Sequence, residues 1–499
     1  MVSVWTATAE MPRYDALQGD TTVDVLVIGG GLIGLTTALL LARDGAQVAL
    51  IEAQRIGSRT SGHTTGKVTS QHGAIYATLV ARHGTAKARQ YATANQAAVE
   101  QVAALIDAEG IDCEFLRTPA YVYSTKSADA LDSEAAAASS LGLPAHLVDA
   151  AEVGVPAAAA LRFDNQVQLH PVRYLAGLAT AFERTGGRIF EHTRAVKVDE
   201  KDGAVHVSTE KGGVITAYQA VLATLLPIGI TGAYFARTRP KQSHGIAVRL
   251  PVEAPTGMAI SVDSPTHSTR PWPGGGPNGL IVVGSDHEVG STNETGAAYQ
   301  SLVDWVNSTW NAAIEPEYRW SAHDYSTPDL LPYVGRSPGS RSIFVATGMH
   351  KWGLSNGTVA AGIINDLIAG RDHPAADLYD ATRFGDTRAV AKLITDNLKV
   401  GKNFTLGHAQ RILRGGLDHL EAGQGGLLKT GNGTIGGYRD QDGNLHTIKP
   451  ICTHLGCPLT WNTADTTWDC SCHGSRFDPD GEILDGPATT PLEAPTTDA

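Results

Sequence analysis

The segment Val23–Glu52, VDVLVIGGGLIGLTTALLLARDGAQVALIE, constrains this 499-residue chain more than any other. Val23–Ile28 is a short run rich in β-branched residues. Gly29-Gly30-Gly31-Leu32-Ile33-Gly34 follows at once, then LTTALLLARDG with helical apolar spacing, then QVALIE closing on Glu52. Strand, G-x-G-x-x-G, helix, strand and acid in this order predict a Rossmann-type α/β unit with a dinucleotide site. Gly29 permits the tight turn, and Gly31 lets the backbone approach a pyrophosphate. Leu32 and Ile33 open a helix whose N-terminus stabilises phosphate charge, and Gly34 lets helix and strand pack closely. Glu52 can accept hydrogen bonds from a ribose diol.

Length alone predicts about three structural units. A hydrophobic content of 42% with 18% charged residues fits a soluble globular chain with ample core. The N-terminus has no basic start followed by an apolar run, so no signal peptide is read there. The apolar run of the motif is broken by polar residues and three glycines, which argues against an integral membrane segment. The expected compartment is the cytoplasm. A net charge of −12 argues against a nucleic-acid partner. The last 80 residues carry −7 of it, which reads as ordinary acidic solubility. Five cysteines, four of them in one cluster, do not make a general disulfide framework.

The hydroxyl- and Gly-rich stretch RIGSRTSGHTTGKVTSQHG directly follows the ribose acid and suits a long cofactor lying extended across the sheet. With LHPVRYLAGLATAFERTGGRIFEHTRA (169–195), AVLATLLP (220–227) and DLLPYVGRSPGSRSIFVATGMHKWGLSNGTVAAGIINDLI (329–368), residues 20–385 resemble the D-amino-acid oxidase/glycine oxidase/sarcosine oxidase superfamily of flavoproteins. The resemblance implies FAD and places Thr347, Gly348, Gly353, Leu354 and Ser355 beside the isoalloxazine. It also places Gly62, His63, Thr64 and Thr65 at the cofactor. In the dimethylglycine and sarcosine dehydrogenase branch, a histidine in such a loop carries the flavin covalently. The neighbours of His63 differ from that branch, so a non-covalent contact is the expected role and a covalent link the alternative. Lys67 is a second candidate for positive charge near the flavin.

The superfamily interleaves the flavin domain with an antiparallel α+β substrate domain, expected here at about 230–335. QSHGIAVRL (242–250) and GLIVVGSDHEVG (279–290) read as its strands. His244, Arg270, Asp286, His287, His323, Asp324 and Tyr325 are the polar candidates for its pocket. His287 is the candidate catalytic residue, because it ends a strand where sarcosine oxidases put a histidine near the flavin. Those enzymes carry a dioxygen-activating lysine four residues earlier, where this chain has Val283. The implication is a dehydrogenase rather than an oxidase.

The far end holds Cys452-Thr-His454 and Cys470-Ser-Cys472-His473. Two thiolates and two imidazoles could bind tetrahedral zinc, or a [2Fe–2S] cluster with Cys₂ on one iron and His₂ on the other. Cys-Thr-His-Leu-Gly-Cys, Cys-x-Cys-His-Gly-Ser and Gly-Pro-Ala (486–488) together resemble Rieske proteins of the cytochrome bc type over about 415–495. That resemblance implies a [2Fe–2S] cluster held by Cys452, His454, Cys470 and His473, with a disulfide between Cys457 and Cys472. Ser475 matches a serine that hydrogen-bonds a cluster sulfide. Phe477 stands where high-potential members have a tyrosine whose hydroxyl bonds a ligand sulfur, which implies a lower potential here.

Residues 386–414 read as a helix and connector, and the following segment as an all-β domain. Cys113 reads as a buried structural thiol. The whole predicts an α/β Rossmann-type FAD domain interleaved with an antiparallel α+β substrate domain, plus a C-terminal all-β Rieske domain at 415–499. The expected activity is FAD-dependent oxidation of a small amine or amino-acid-like substrate, with electrons passing through the cluster to an external acceptor. A non-amine substrate such as a hydroxy acid, and a protein-to-protein redox relay, are the alternatives.

Overall fold

A computed structural model of the chain describes residues 2–291, 295–383, 412–413, 417–430 and 433–495. The Val23–Glu52 pattern forms the strand Thr21–Ile28, the helix Leu32–Arg43 and the strand Val48–Ile51. Thr21–Ile28 pairs in parallel with Val48–Ile51 on one side and Val214–Leu222 on the other. Ile343–Thr347 and Arg188–Phe190 extend this sheet in parallel at its two sides. All four residues of Val48–Ile51 are buried, as expected for a parallel strand covered on both faces. A Cβ built on Gly34 would lie 1.9 Å from the Gly29 carbonyl oxygen, so only glycine lets the helix sit on the strand turn.

The second sheet has nine strands and is mostly antiparallel. Its path runs Tyr318–Ser326, Arg239–Arg249, Gly279–Glu288, His267–Pro271, Met258–Ser261, Leu116–Ser124, Ala159–Gln168 and Lys67–Val68, with Ala145–Val148 alongside. The substrate sheet therefore draws strands from 67–168 as well as from the expected 230–335. Met258–Ser261 joins the two groups by pairing in parallel with Leu116–Ser124. A parallel partner so distant in sequence leaves no hairpin signal to read.

The C-terminal part is all-β, with two four-stranded sheets. One contains Gly425–Thr430, Gly433–Arg439 and Leu445–Ile448, and the other Leu459–Asn462, Thr467–Cys470, Arg476–Phe477 and Ile483–Asp485. Trp461, Trp468, Phe477 and Ile483 fill its core. The connector expected at 386–414 lies outside the described residues except for Ile412 and Leu413. No helix among the described residues is long and apolar enough to cross a membrane.

Candidate functional site

A long cavity opens beside the Gly29 turn. Gly29, Gly31, Leu32, Ile33, Glu52, His63, Thr64, Thr65, Gly353 and Leu354 line it, which brings together most of the residues expected at the flavin. The others stand behind the wall. A Cβ on Gly62 would lie 2.0 Å from the Gly57 carbonyl, so its role is to let the loop fold on itself. The Thr347 hydroxyl donates to the Leu225 carbonyl at 2.6 Å, and the Ser355 hydroxyl lies 2.8 Å from His72 Nε2. Gly348 takes a positive φ of 78° at the turn before the helix Gly353–Ile368.

The cradle fits an extended dinucleotide. A Cβ on Gly31 would come within 2.9 Å of Ser61 Oγ, and that hydroxyl accepts from the Leu32 N–H at 3.0 Å. Glu52 Oε2 accepts from Gly30 N–H at 2.7 Å and Oε1 from Gln54 N–H at 2.9 Å. Each oxygen keeps a lone pair for a ribose hydroxyl. Burial raises the Glu52 pKa, and those two N–H groups oppose the rise. Ser58 Oγ, on the cavity wall, is buried without a protein partner. The loop around His63 is pinned by two indoles: Trp5 Nε1 donates to the Thr64 carbonyl at 2.7 Å and Trp320 Nε1 to the His63 carbonyl at 3.0 Å. His63 Nδ1 lies 2.9 Å from the Arg59 carbonyl, and burial lowers its pKa.

The strand Tyr318–Ser326 divides the polar candidates. Trp320, Ala322 and Asp324 line the flavin cavity. Ser321 and Tyr325 point the other way, Ser321 Oγ donating to Asp465 at 2.6 Å and Tyr325 Oη to the His473 carbonyl at 2.9 Å. His323 borders both this cavity and a second one of about 230 Å³ between the flavin and C-terminal parts. Asp286 and Val283 line the flavin cavity, whereas His287 does not. His287 stacks on His244 with ring centroids 5.4 Å apart, because a β-bulge at Ser285, whose φ is 54°, breaks the alternation that would otherwise put His287 on the face of Val283. Arg270 lies behind the wall, donating to the Thr65, Gly66 and Leu169 carbonyls.

Lys67, Asp286, Asp324 and Lys351 are among the charged residues that line the cavity. Lys67 Nζ donates to the Ala259 carbonyl at 3.0 Å and Ser268 Oγ at 2.7 Å. Burial, with help from the Arg270 charge, pushes its pKa down to about 7. Lys351 and Asp286 form an ion pair, and the Lys351 N–H donates to the Asp324 carboxylate. Burial pushes the Asp324 pKa up to about 6.

At the other site, Cys452 and Cys470 are buried and unbridged, and Cys457 and Cys472 are joined by a disulfide. His454 and His473 face each other through Nδ1 atoms 3.3 Å apart. Cys452 thus lies beside Cys470 and His454 beside His473, and two thiols with two imidazoles are a donor set that suits a mixed thiolate–imidazole iron–sulfur cluster. Hydrogen bonding by Cys470 lowers the Cys452 pKa against the effect of burial, with the His454 N–H and Ser475 adding to it. Cys470 is raised in turn by the same contact and by burial. Ser475 Oγ accepts from Ala488 N–H at 3.1 Å, which ties the cluster loop to the Gly486–Ala488 turn.

The two sites share a wall. Leu484, Asp485, Gly486 and Ala488 line the flavin cavity from the C-terminal side. Arg476, fully enclosed, is 2.6 Å from Asp465 and 3.1 Å from Asp469, and Asp465 also accepts from Gln242. Sequence reading missed Arg59 and Asp485 at this junction and Lys351 in the flavin cavity. Nothing in their local sequence marks them, since each is defined by a partner far along the chain.

A dinucleotide cradle and a sulfur–imidazole site walled by one another define a flavin oxidoreductase with an appended iron–sulfur domain. The FAD dependent oxidoreductase family profile matches residues 24–367, and the Rieske [2Fe-2S] domain profile matches 418–496. The chain belongs to the FAD dependent oxidoreductase family and carries a Rieske domain, so its cofactors are FAD and a [2Fe–2S] cluster. It is 34% identical to YhfW of Bacillus subtilis (strain 168), a protein named for a Rieske 2Fe-2S iron-sulfur centre, over 98% of this chain and 96% of that one. Glycine oxidase from Geobacillus kaustophilus superposes with a TM-score of 0.61 at 19% identity, covering 72% of this chain and 99% of that one. Cytochrome b6-f complex iron-sulfur subunit 1 of Synechocystis sp. is 49% identical over 55 residues, 11% of this chain and 31% of that one.

Proposed function

We propose that the chain is a dehydrogenase that oxidises the carbon–nitrogen bond of a small amine or amino acid and delivers the electrons through its own cluster to an external acceptor. The observation that carries this reading is the shared wall, in which Leu484–Ala488 of the Rieske domain closes the flavin cavity. FAD, when bound, accepts the two electrons of such an oxidation, and the cluster carries one electron at a time. Gly29–Gly34 and Glu52 would hold the dinucleotide, and His63, Gly353 and Leu354 line the same cavity. Cys452, His454, Cys470 and His473 hold the cluster.

The residues of the cavity have three tasks. Lys67 is buried with carbonyl and hydroxyl partners and titrates near 7, and in its protonated form it can attract a substrate carboxylate. Asp324, its pKa near 6, can hold the proton that an arriving ammonium group must shed before its C–N bond is oxidised. Trp320 and Trp352 exclude water from the cavity. Val283 leaves the wall without a lysine on its own strand, which favours a protein acceptor over dioxygen.

The test is anaerobic. A library of amines and amino acids is mixed with the oxidised protein, and flavin absorbance is followed together with the electron paramagnetic resonance signal of the reduced cluster. An amine that bleaches the flavin and then produces the cluster signal supports the reading. Bleaching by hydroxy acids alone, or by a nicotinamide or protein donor alone, overturns it.

A further inference from the structure

The histidine side of the cluster site is completed by residues that the Rieske domain does not contain. Phe235 lies on the short helical turn Thr231–Ala236, between the strands Val214–Leu222 and Arg239–Arg249. Its ring stands edge-on to both imidazoles, 5.1 Å from His454 and 4.9 Å from His473, at interplanar angles of 82° and 81°. Six residues earlier, the Gly229 carbonyl lies 3.0 Å from His454 Nε2. The Gly229 N–H donates to the Pro487 carbonyl at 3.1 Å, so this turn grips the Rieske domain at two neighbouring points. The same segment begins inside the flavin cavity, where Thr224, Leu225 and Ile228 form part of the lining.

These contacts fix a tautomer. A carbonyl only accepts, so His454 Nε2 carries the proton and Nδ1 keeps its lone pair, turned toward His473 Nδ1. An imidazole that donates its distal N–H to a carbonyl is held in one orientation and becomes a more basic ligand. A more basic ligand stabilises the oxidised form of the metal.

We propose that Phe235 and the Gly229 carbonyl are positioning residues for the cluster: the flavin part of the chain completes the histidine side of the site and fixes it beside the flavin cavity. Phe235 prevents the two rings from turning, and Gly229 sets the proton and the basicity of His454. The Rieske domain is therefore seated, with its histidine edge occupied from within the chain. The inference rests on the reading of Cys452, His454, Cys470 and His473 as ligands.

The test compares the full-length holoprotein with F235A, F235L and F235W. Iron, sulfide and FAD contents come first. The cluster midpoint potential is then measured by redox titration, and its g-values by electron paramagnetic resonance of dithionite-reduced protein. No substrate is needed, so the result does not depend on the proposed chemistry. F235A and F235L should shift the potential upward and broaden the g-value distribution as His454 leaves Gly229, and F235W should keep both near wild type. Loss of the cluster from F235A with FAD retained has the same meaning. Wild-type potential and g-values in both F235A and F235L, with full cofactor content, overturn the proposal. A wild-type protein with iron and sulfide but no Rieske-type signal overturns the ligand reading instead.

Discussion

Arg59 and Asp485 are 426 residues apart in sequence and form a two-point ion pair across the boundary between the flavin and Rieske domains, with Nε–Oδ1 at 3.1 Å and Nη2–Oδ2 at 2.7 Å. Both residues line the flavin cavity, so the pair is at once a domain clamp and a piece of the site. Parallel two-point geometry makes guanidinium–carboxylate pairs directional as well as strong. The pair ties Asp485, and with it the Leu484–Ala488 turn, to the cavity wall at Arg59.

Asp485 is buried, but Arg59 keeps about a third of its side chain exposed and can be rehydrated, so removing Asp485 costs about 1–2 kcal/mol rather than the full penalty of an enclosed pair. Asp485→Ala should therefore lower the stability of the docked state by about that amount, measured by calorimetry of the holoprotein as earlier or split unfolding. The pH dependence follows. Burial alone would raise the Asp485 pKa, but Arg59, His323 and Arg476 hold it well below the usual carboxylate value. A carboxylate with a depressed folded-state pKa stabilises above its unfolded value and loses that contribution as pH falls through the folded one. The gap between wild type and Asp485→Ala should be full at pH 7 and narrow below about pH 4.

Lys67 gives a slope of the same sign in an alkaline window. Its folded pKa of about 7 lies below the ordinary lysine value. Between the two values the unfolded chain binds one more proton, so stability rises with pH over that window. Lys67→Met should remove this rise, measured as urea unfolding at pH 7 and pH 10. The same variant should weaken binding of benzoate, read from the flavin spectrum, by about tenfold, the equivalent of roughly 1.4 kcal/mol. Unchanged benzoate binding overturns the carboxylate role of Lys67.

What could be read in advance follows from how local each signal is. The Gly29–Gly34 turn, its flanking strands and Glu52 lie within thirty consecutive positions, and each carries its own steric or electrostatic reason. The four cysteines and two histidines of 452–473 are equally compact in sequence, and the structure joins Cys457 to Cys472, sets Cys452 beside Cys470 and sets His454 beside His473. The facing of strand residues was not legible. His287 and Asp286 are adjacent, yet only Asp286 meets the cavity, and a one-residue change of register reverses that choice. Tyr325 is a pocket candidate by sequence, yet its hydroxyl donates to the His473 carbonyl on the opposite side of its strand. Arg59, Phe235 and Asp485 acquire their roles only when the Rieske domain is seated, a long-range fact with no local pattern.

The Cys457–Cys472 bridge closes a loop of 15 residues between the two cluster-bearing segments. Closing a loop of that size restricts the unfolded chain by about 3 kcal/mol. Cys457→Ala with Cys472→Ala should lower Rieske-domain stability by that order and speed loss of the cluster signal on incubation with a chelator. Cys470 Sγ lies within 4.8 Å of both bridge sulfurs, so the effect should appear at the cluster before it reaches the flavin spectrum.

Phe477 offers the most direct test of how the protein sets its cluster potential. It is fully buried, pairs across its strand with Trp468, and packs with Cys452, Cys470 and Leu459 in one core. In the Rieske pattern that the sequence resembles, a tyrosine at this position donates its hydroxyl to a ligand sulfur. Such a donor stabilises the extra negative charge of the reduced cluster and so raises the potential. Here that donor is replaced by a hydrogen, while Ser475 Oγ remains on the cluster loop. Phe477→Tyr adds one oxygen at a site already close-packed, and overpacking of this kind costs about 1–3 kcal/mol when the neighbours cannot yield. The expected outcome is a higher midpoint potential with little change in g-values, at a modest loss of thermal stability. Phe477→Leu separates the two effects: it disturbs packing without adding a donor and should leave the potential near that of the parent. A rise in Phe477→Leu equal to that in Phe477→Tyr would assign the shift to packing and remove the hydroxyl from the explanation.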